Sequence, residues 1–149
     1  MCHAVWKYAL VVVLGLTTIS TPNAILIQTG RDIGVRSIRT GRQHPILQRA
    51  AEEHAAYQAR VGIQGHQGWQ RRVEVLIRAM PNCHEFREVA NESWPGQDVN
   101  AAAREMYRSW RLSPGHWSAV NGHCSYYGYA MVLGRNGTWY ACGIFADLR

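Results

Sequence analysis

The stretch Ser125–Ala146, SYYGYAMVLGRNGTWYACGIFA, decides the fold. Two strand-like runs, SYYGYAMVL and TWYACGIFA, flank GRNG, in which Asn136-Gly137 is a favoured two-residue hairpin turn. Neither run alternates apolar with polar residues. Both faces of each carry apolar or small side chains, so the sheet they form needs cover on both sides. The chain upstream reads as helical. Helices first and strands last, with a sheet buried on two faces, predict an α/β protein: a three-layer α/β/α sandwich with a C-terminal β-hairpin.

The helices are legible from their stripes. Val99, Ala102, Ala103, Met106, Tyr107 and Trp110 fall on one face behind Asp98, a good N-cap, and Ser113-Pro114-Gly115 ends that helix. Trp110 completes the stripe and reads as core. Trp69, Val73, Leu76, Ile77 and Met80 mark an earlier helix, stopped by Pro81-Asn82. Pro45 opens the first of this series, where its missing N–H costs nothing, and Leu47, Ala50, Ala51, His54 and Val61 share its apolar stripe up to Gly62.

Composition fits one domain behind a leader. Of 149 residues, 47% are hydrophobic, enough for a single packed core at this size. The net charge is +6, and fifteen of the sixteen cations are arginine. Arg31, Arg36, Arg39, Arg42 and Arg49 fall in one early stretch against Asp32 alone. Such a stretch can meet nucleic acid, anionic lipid or an acidic polymer, but its Arg/Gly/Thr content reads first as a solvated, poorly ordered arm over residues 25–43. Residues 1–24 carry Lys7, an apolar run from Ala9 to Ile19 and turn formers ending at Ala24. The run is shorter than the roughly 20 residues of a stable bilayer span, so it reads as an export signal, cleaved after Ala24 or near Ser20, or kept as an anchor. The mature chain is then secreted or periplasmic, touching membrane only if that segment stays uncleaved, and is expected to be a monomer.

Cys2 leaves with the leader, and Cys83, Cys124 and Cys142 remain. Three thiols allow one bridge and one free group. Cys142, inside an apolar strand, reads as a small buried hydrophobe, which leaves Cys83–Cys124 as the candidate disulfide. His84 and His123 beside them fit no compact zinc motif.

The candidate chemistry lies in two glycine-rich turns. His66 in VGIQGHQGW follows the first helix of the series, and His116 in WRLSPGHW follows the third. A glycine before each lets the backbone turn and aim the imidazole into a cleft. Between them runs FREVANESW, whose Glu88 and Glu92 share a face if the segment is extended. Two imidazoles with one or two carboxylates suit a divalent metal such as zinc with open positions, or equally an acid–base cluster in which Glu88 and His116 are the catalytic candidates. Ser113 sits near His116, but a serine just past a helix end more often bonds backbone than acts as a nucleophile. Trp117 is either a cleft wall or a sheet-packing residue. His54, on an apolar stripe, reads as a buried structural histidine.

HPILQRAAEEHAAYQA, GHQGW, EVANESW, SWRLSPGHW and GTWYACGIFA together resemble the CAP superfamily, or SCP domain, of cysteine-rich secretory, antigen 5 and pathogenesis-related proteins, in its bacterial branch. The resemblance covers residues 44–149, and W-x-x-S-P-G-H is its most specific element. It implies the α/β/α sandwich and a central cleft lined by two histidines and two acids. Carried over by position, His66 and His116 match the histidines and Glu88 matches the acid that precedes Asn. Val89 stands where that Asn is usual, and Ser113 stands where the second acid is usual. Glu92 is a candidate second carboxylate by its own position.

The expected function is a secreted binding module. Its His/Glu cleft, formed by His66, His116 and Glu88, takes a divalent metal or a small apolar ligand and acts on an extracellular or periplasmic partner. The alternative is a metal-dependent or acid–base hydrolase built on the same cleft. No nucleophile elbow and no His-Glu-x-x-His helix is present. Nucleic-acid binding through the arginines ranks last, because no aromatic platform is interleaved with them.

Overall fold

The computed structural model describes residues 20–149. The chain forms α1 (Pro22–Asp32), α2 (Arg36–Thr40), β1 (Arg42–Gln43), α3 (Pro45–Val61), α4 (Trp69–Ala79) and β2 (Cys83–Glu92). α5 (Val99–Leu112), α6 (Pro114–Val120), β3 (Tyr126–Leu133) and β4 (Trp139–Leu148) complete it. The class is mixed α/β, with one four-stranded sheet in the order β1-β3-β4-β2. β1 runs parallel to β3, while β4 is antiparallel to both β3 and β2.

The two C-terminal strands are buried along nearly their whole length. Their side chains divide with the period of two that a pleated strand imposes. Tyr127, Tyr129, Met131, Ala141 and Phe145 enter one apolar cluster with Leu26 and Ile27 of α1 and Met106, Tyr107 and Trp110 of α5. Ala130, Cys142, Ile144 and Ala146 enter a second cluster with Leu47, Ala51 and Ala55 of α3 and Leu76 of α4. Trp110 is fully buried, as its place in the stripe requires, and its indole N–H donates to the Ala90 carbonyl at 3.2 Å. Gly128 brings α3 and β3 together: a Cβ there would overlap the Leu47 carbonyl carbon and the Gln48 nitrogen.

Several expectations change. The leader assigned to residues 1–24 lies outside the described residues up to position 19, and residues 21–24 begin the described fold. Thr21 caps α1, the Asn23 carboxamide oxygen accepts from the Met131 N–H at 2.9 Å, and Leu26 is fully buried. The basic stretch 25–43 is accordingly no solvated arm. Its arginines point outward, but Leu26, Ile27, Val35 and Ile38 belong to the core. The folded unit therefore includes α1 and α2 as well as residues 44–149.

The Pro114-Gly115 break is itself a helix start. Pro114 occupies the first turn of α6, so His116 sits on a short helix rather than in a loop. The hairpin turn is also longer than two residues. The Gly137 N–H bonds the Gly134 carbonyl, the Gly134 N–H bonds the Thr138 carbonyl, and Gly137 has φ +77°. That is a three-residue loop ending in a left-handed glycine, and Asn136 keeps a negative φ.

Cys83, Cys124 and Cys142 are all free, buried thiols. Cys83 lies opposite Leu148 on one side of β4, while Cys124 precedes β3, whose Tyr126 faces Ala146 on the other side. Two strand spacings, about 10 Å, separate those positions, beyond the roughly 7 Å that a disulfide spans between Cα atoms. Burial also pushes the Cys124 thiol up to about 12. Cys2 lies outside the described residues.

Candidate functional site

The loop between α3 and α4 carries His66, and buried polar groups of α3 fix its path. Gly62, at φ +71°, caps α3 in the left-handed conformation. The Gln58 carboxamide oxygen then accepts from the Gly65 N–H at 3.0 Å. His54 Nε2 lies 2.7 Å from the Gly65 carbonyl, an acceptor, so Nε2 carries the proton. Both α3 residues are buried, and the Gln58 carboxamide also donates to the Ala141 carbonyl of β4 at 3.2 Å. His54 is thus the structural histidine that its stripe predicts, with a definite task.

Glu88 of β2 is the electrostatic centre. A β-bulge at Glu85, where φ is +51°, shifts the register between His84 and Arg87. Past it, Glu88 pairs with Ile144, whose side chain lies in the cluster under α3 and α4. The Glu88 side chain is 1% exposed. Its Oε2 accepts from Arg72 Nε at 2.7 Å, with Nη2 beside it at 2.5 Å. Its Oε1 takes His66 Nδ1 at 2.9 Å, and His54 Nε2 stands 3.8 Å away. A buried carboxylate requires such partners. Because the carboxylate accepts, His66 Nδ1 donates and its Nε2 is left free to face a ligand.

His116 reaches the same place from α6. Its ring centroid lies 6.1 Å from that of His66, with the planes at 40°. Burial, and secondarily the neighbouring His66, hold the His116 pKa below its ordinary value, which favours the neutral ring. Burial likewise lowers His54, against the pull of the Gly65 carbonyl and Glu88. Trp117 is half-buried against the core, and the Arg111 guanidinium lies 4.9 Å over its ring. It is a packing residue with one exposed face.

Other candidates fall away from this cluster. Glu92 is exposed at the end of β2 opposite Tyr140, about 13 Å along the strand from Glu88. Ser113 joins α5 to α6 and makes no side-chain cap bond, and among the described residues it has no hydrogen bond to His116. His84 and His123 lie instead near Glu85 and Asp147.

Arg72 is the residue that sequence reasoning missed, together with the loop-pinning work of Gln58. The available signal was the carboxylate itself: a glutamate in a buried strand calls for a cation, and Arg71-Arg72 follow Trp69 one turn into α4. Among the described residues no three His, Cys, Asp or Glu side chains form a metal-ligating group. The donor set at hand is two imidazoles, because both Glu88 oxygens are committed. Beside the cluster, a cavity of about 520 Å³ opens between α3 and α4, lined by His54, Tyr57, Gln67, Arg72, Val75 and Leu76 among others. The Gln67 Oε1 atom is buried there without a hydrogen-bond partner.

No family model and no curated protein sequence matches the chain. Among solved structures it is similar to an outer surface protein from Borrelia burgdorferi, at 13% identity with a TM-score of 0.60. The alignment covers 83% of this chain and 87% of that one. At this identity the likeness lies in the fold, a mixed α/β domain spanning nearly the whole of both chains.

Proposed function

We propose that the chain is a CAP/SCP-like binding module that works outside the cytoplasm through the cleft between His66 and His116. The observation that carries this reading is the convergence of the two rings, 6.1 Å apart, with Glu88 fixing the tautomer of one of them. A divalent metal such as zinc would be held by His66 Nε2 and the His116 ring, with the remaining positions open. Glu88 would then serve behind the ligand, as carboxylates commonly do for metal-bound histidines. The adjoining cavity, walled by His54 and Arg72, supports a small, mostly apolar ligand with a donor group for Gln67 Oε1.

The three-layer form of the sandwich is part of the same reading. It rests on the two core clusters drawn from alternate faces of β3 and β4. The extracytoplasmic setting draws on the apolar start of the sequence and on the outer-surface description of the Borrelia neighbour. Among the described residues no helix is long and apolar enough to cross a membrane. Hydrolysis with Glu88 as general base fits less well, since Arg72 and His66 already occupy both of its oxygens.

Zinc titration by calorimetry tests the reading. The wild-type chain should bind one ion, and His66→Ala or His116→Ala should each abolish the heat while leaving the circular dichroism spectrum unchanged. Equal binding by both variants, or none by the wild type, removes the metal from the proposal. Turnover of ester or peptide substrates that Glu88→Gln abolishes with the fold intact would favour the hydrolase.

A further inference from the structure

The corner where α1 turns into α2 presents a charge arrangement that the cleft does not use. α1 ends in a Schellman motif: the Val35 N–H bonds the Gly30 carbonyl and the Gly34 N–H bonds the Arg31 carbonyl, with Gly34 at φ +75°. That turn buries Val35 and Ile38 but leaves Ile33 at its tip 47% exposed. Arg31, Arg36, Arg39 and Arg42 lie within ten residues of it along the chain, all exposed, with Arg31 Nη1 donating to Gln28 Oε1 at 3.1 Å. The arginines that form ion pairs among the described residues are Arg72, Arg78, Arg87 and Arg108, none of them in this group. Asp32 is the local carboxylate, and it accepts from the Gln28 carboxamide at 2.6 Å. Between residues 31 and 42 four arginines thus accompany one acid and one exposed isoleucine.

We propose that this corner docks the domain onto anionic phospholipid bilayers, independently of the cleft and of the apolar segment at the start of the sequence. Guanidinium groups pair with lipid phosphates, and an exposed isoleucine between them enters the headgroup boundary. The geometry favours lipid over a nucleic-acid strand. Tyr126 has the Arg42 guanidinium over its ring at 5.7 Å and His44 packed edge-on at 4.9 Å, and Tyr127, which Arg31 reaches, is buried, so neither offers a free stacking platform. The core behind α2 holds the corner rigid, with Ser37 Oγ and Tyr129 OH 3.0 Å apart inside it.

Co-sedimentation of the full chain with phosphatidylcholine vesicles, with and without about one-third phosphatidylglycerol, tests the inference. The readout is the excess partition onto anionic vesicles. At about 0.05 M salt, the triple variant Arg36→Gln, Arg39→Gln, Arg42→Gln should lose on the order of a hundredfold of that excess. About 0.5 M salt should suppress the wild-type excess. Ile33→Ser should lose severalfold with its charge intact, and the three Arg→Lys replacements should retain binding. Equal partition onto both vesicle types, an unchanged triple variant, or lost binding in the lysine variant overturns the proposal. So does tighter binding to a single-stranded oligonucleotide at the same salt that the glutamine variant abolishes.

Discussion

Glu88 shows how one buried residue organises the candidate site, and it yields an asymmetric prediction. Its carboxylate is 1% exposed, whereas the Arg72 side chain that holds it is 17% exposed. Removing one member of a buried pair leaves the other charge without compensation, at about 3–5 kcal/mol. Arg72→Ala strands a fully buried carboxylate, while Glu88→Ala strands a guanidinium that can still turn toward water. Urea unfolding should place Arg72→Ala near the upper end of that range and Glu88→Ala below it, with the double variant costing less than the two together. Equal single losses that simply add would mean that the two groups act separately. At this scale the sequence was half legible. Glu88, His66 and His116 stand out by residue type and by the glycines before the histidines. Arg72 does not, because its pairing joins α4 to β2 and no local periodicity encodes a contact between a helix and a strand. Glu92 failed for the opposite reason: proximity along the chain placed it near Glu88, and the strand rise carried it away.

At the scale of elements, what the sequence revealed is what periodicity records. The stripe of α5 survives in the structure, that of α3 does so up to Val61, which is 40% exposed, and the doubly apolar strands are buried on both faces. Where a residue type serves two purposes, the reading went astray. Pro114 both stops α5 and starts α6, and the glycine that suits a two-residue turn suits the end of a three-residue loop equally, which is where Gly137 stands. In α4 the expected stripe is only partly buried: Leu76 is inside, but Ile77 is 50% exposed. The close packing of α3 against β3 at Gly128 left no trace in the pattern, because a glycine in an apolar strand is ambiguous until its neighbour is known. Gly128→Ala must push a Cβ into the α3 backbone, which cannot rotate away as a side chain would. Overpacking of this kind costs about 1–3 kcal/mol, so thermal unfolding of Gly128→Ala should shift down by several degrees. An unchanged midpoint would show that α3 slides freely on the sheet.

For the molecule as a whole, the instructive surprise is the N-terminal side of the domain. Arginine, glycine and threonine between residues 29 and 43 disguised a segment whose apolar residues are few but well placed. Leu26 and Ile27 meet Tyr107 and Met131 in the core, and the Tyr107 hydroxyl donates to the Leu26 carbonyl at 3.0 Å. Gly30 admits that ring, since a Cβ there would overlap the Tyr107 oxygen. Asn23 ties the start of the helix to Met131 on β3 and to Glu52 on α3. The sheet face carrying Tyr127, Tyr129 and Phe145 is therefore closed by α1 and α5 together, and removing α1 opens it. Each large core side chain lost costs about 2–5 kcal/mol, against a total stability of about 5–15 kcal/mol for a domain. A chain beginning at residue 36 should consequently fail to unfold cooperatively and should bind an apolar dye, whereas one beginning at residue 20 should show a single sharp transition. Matching transitions for the two chains would mean that α1 lies on the domain without supporting it.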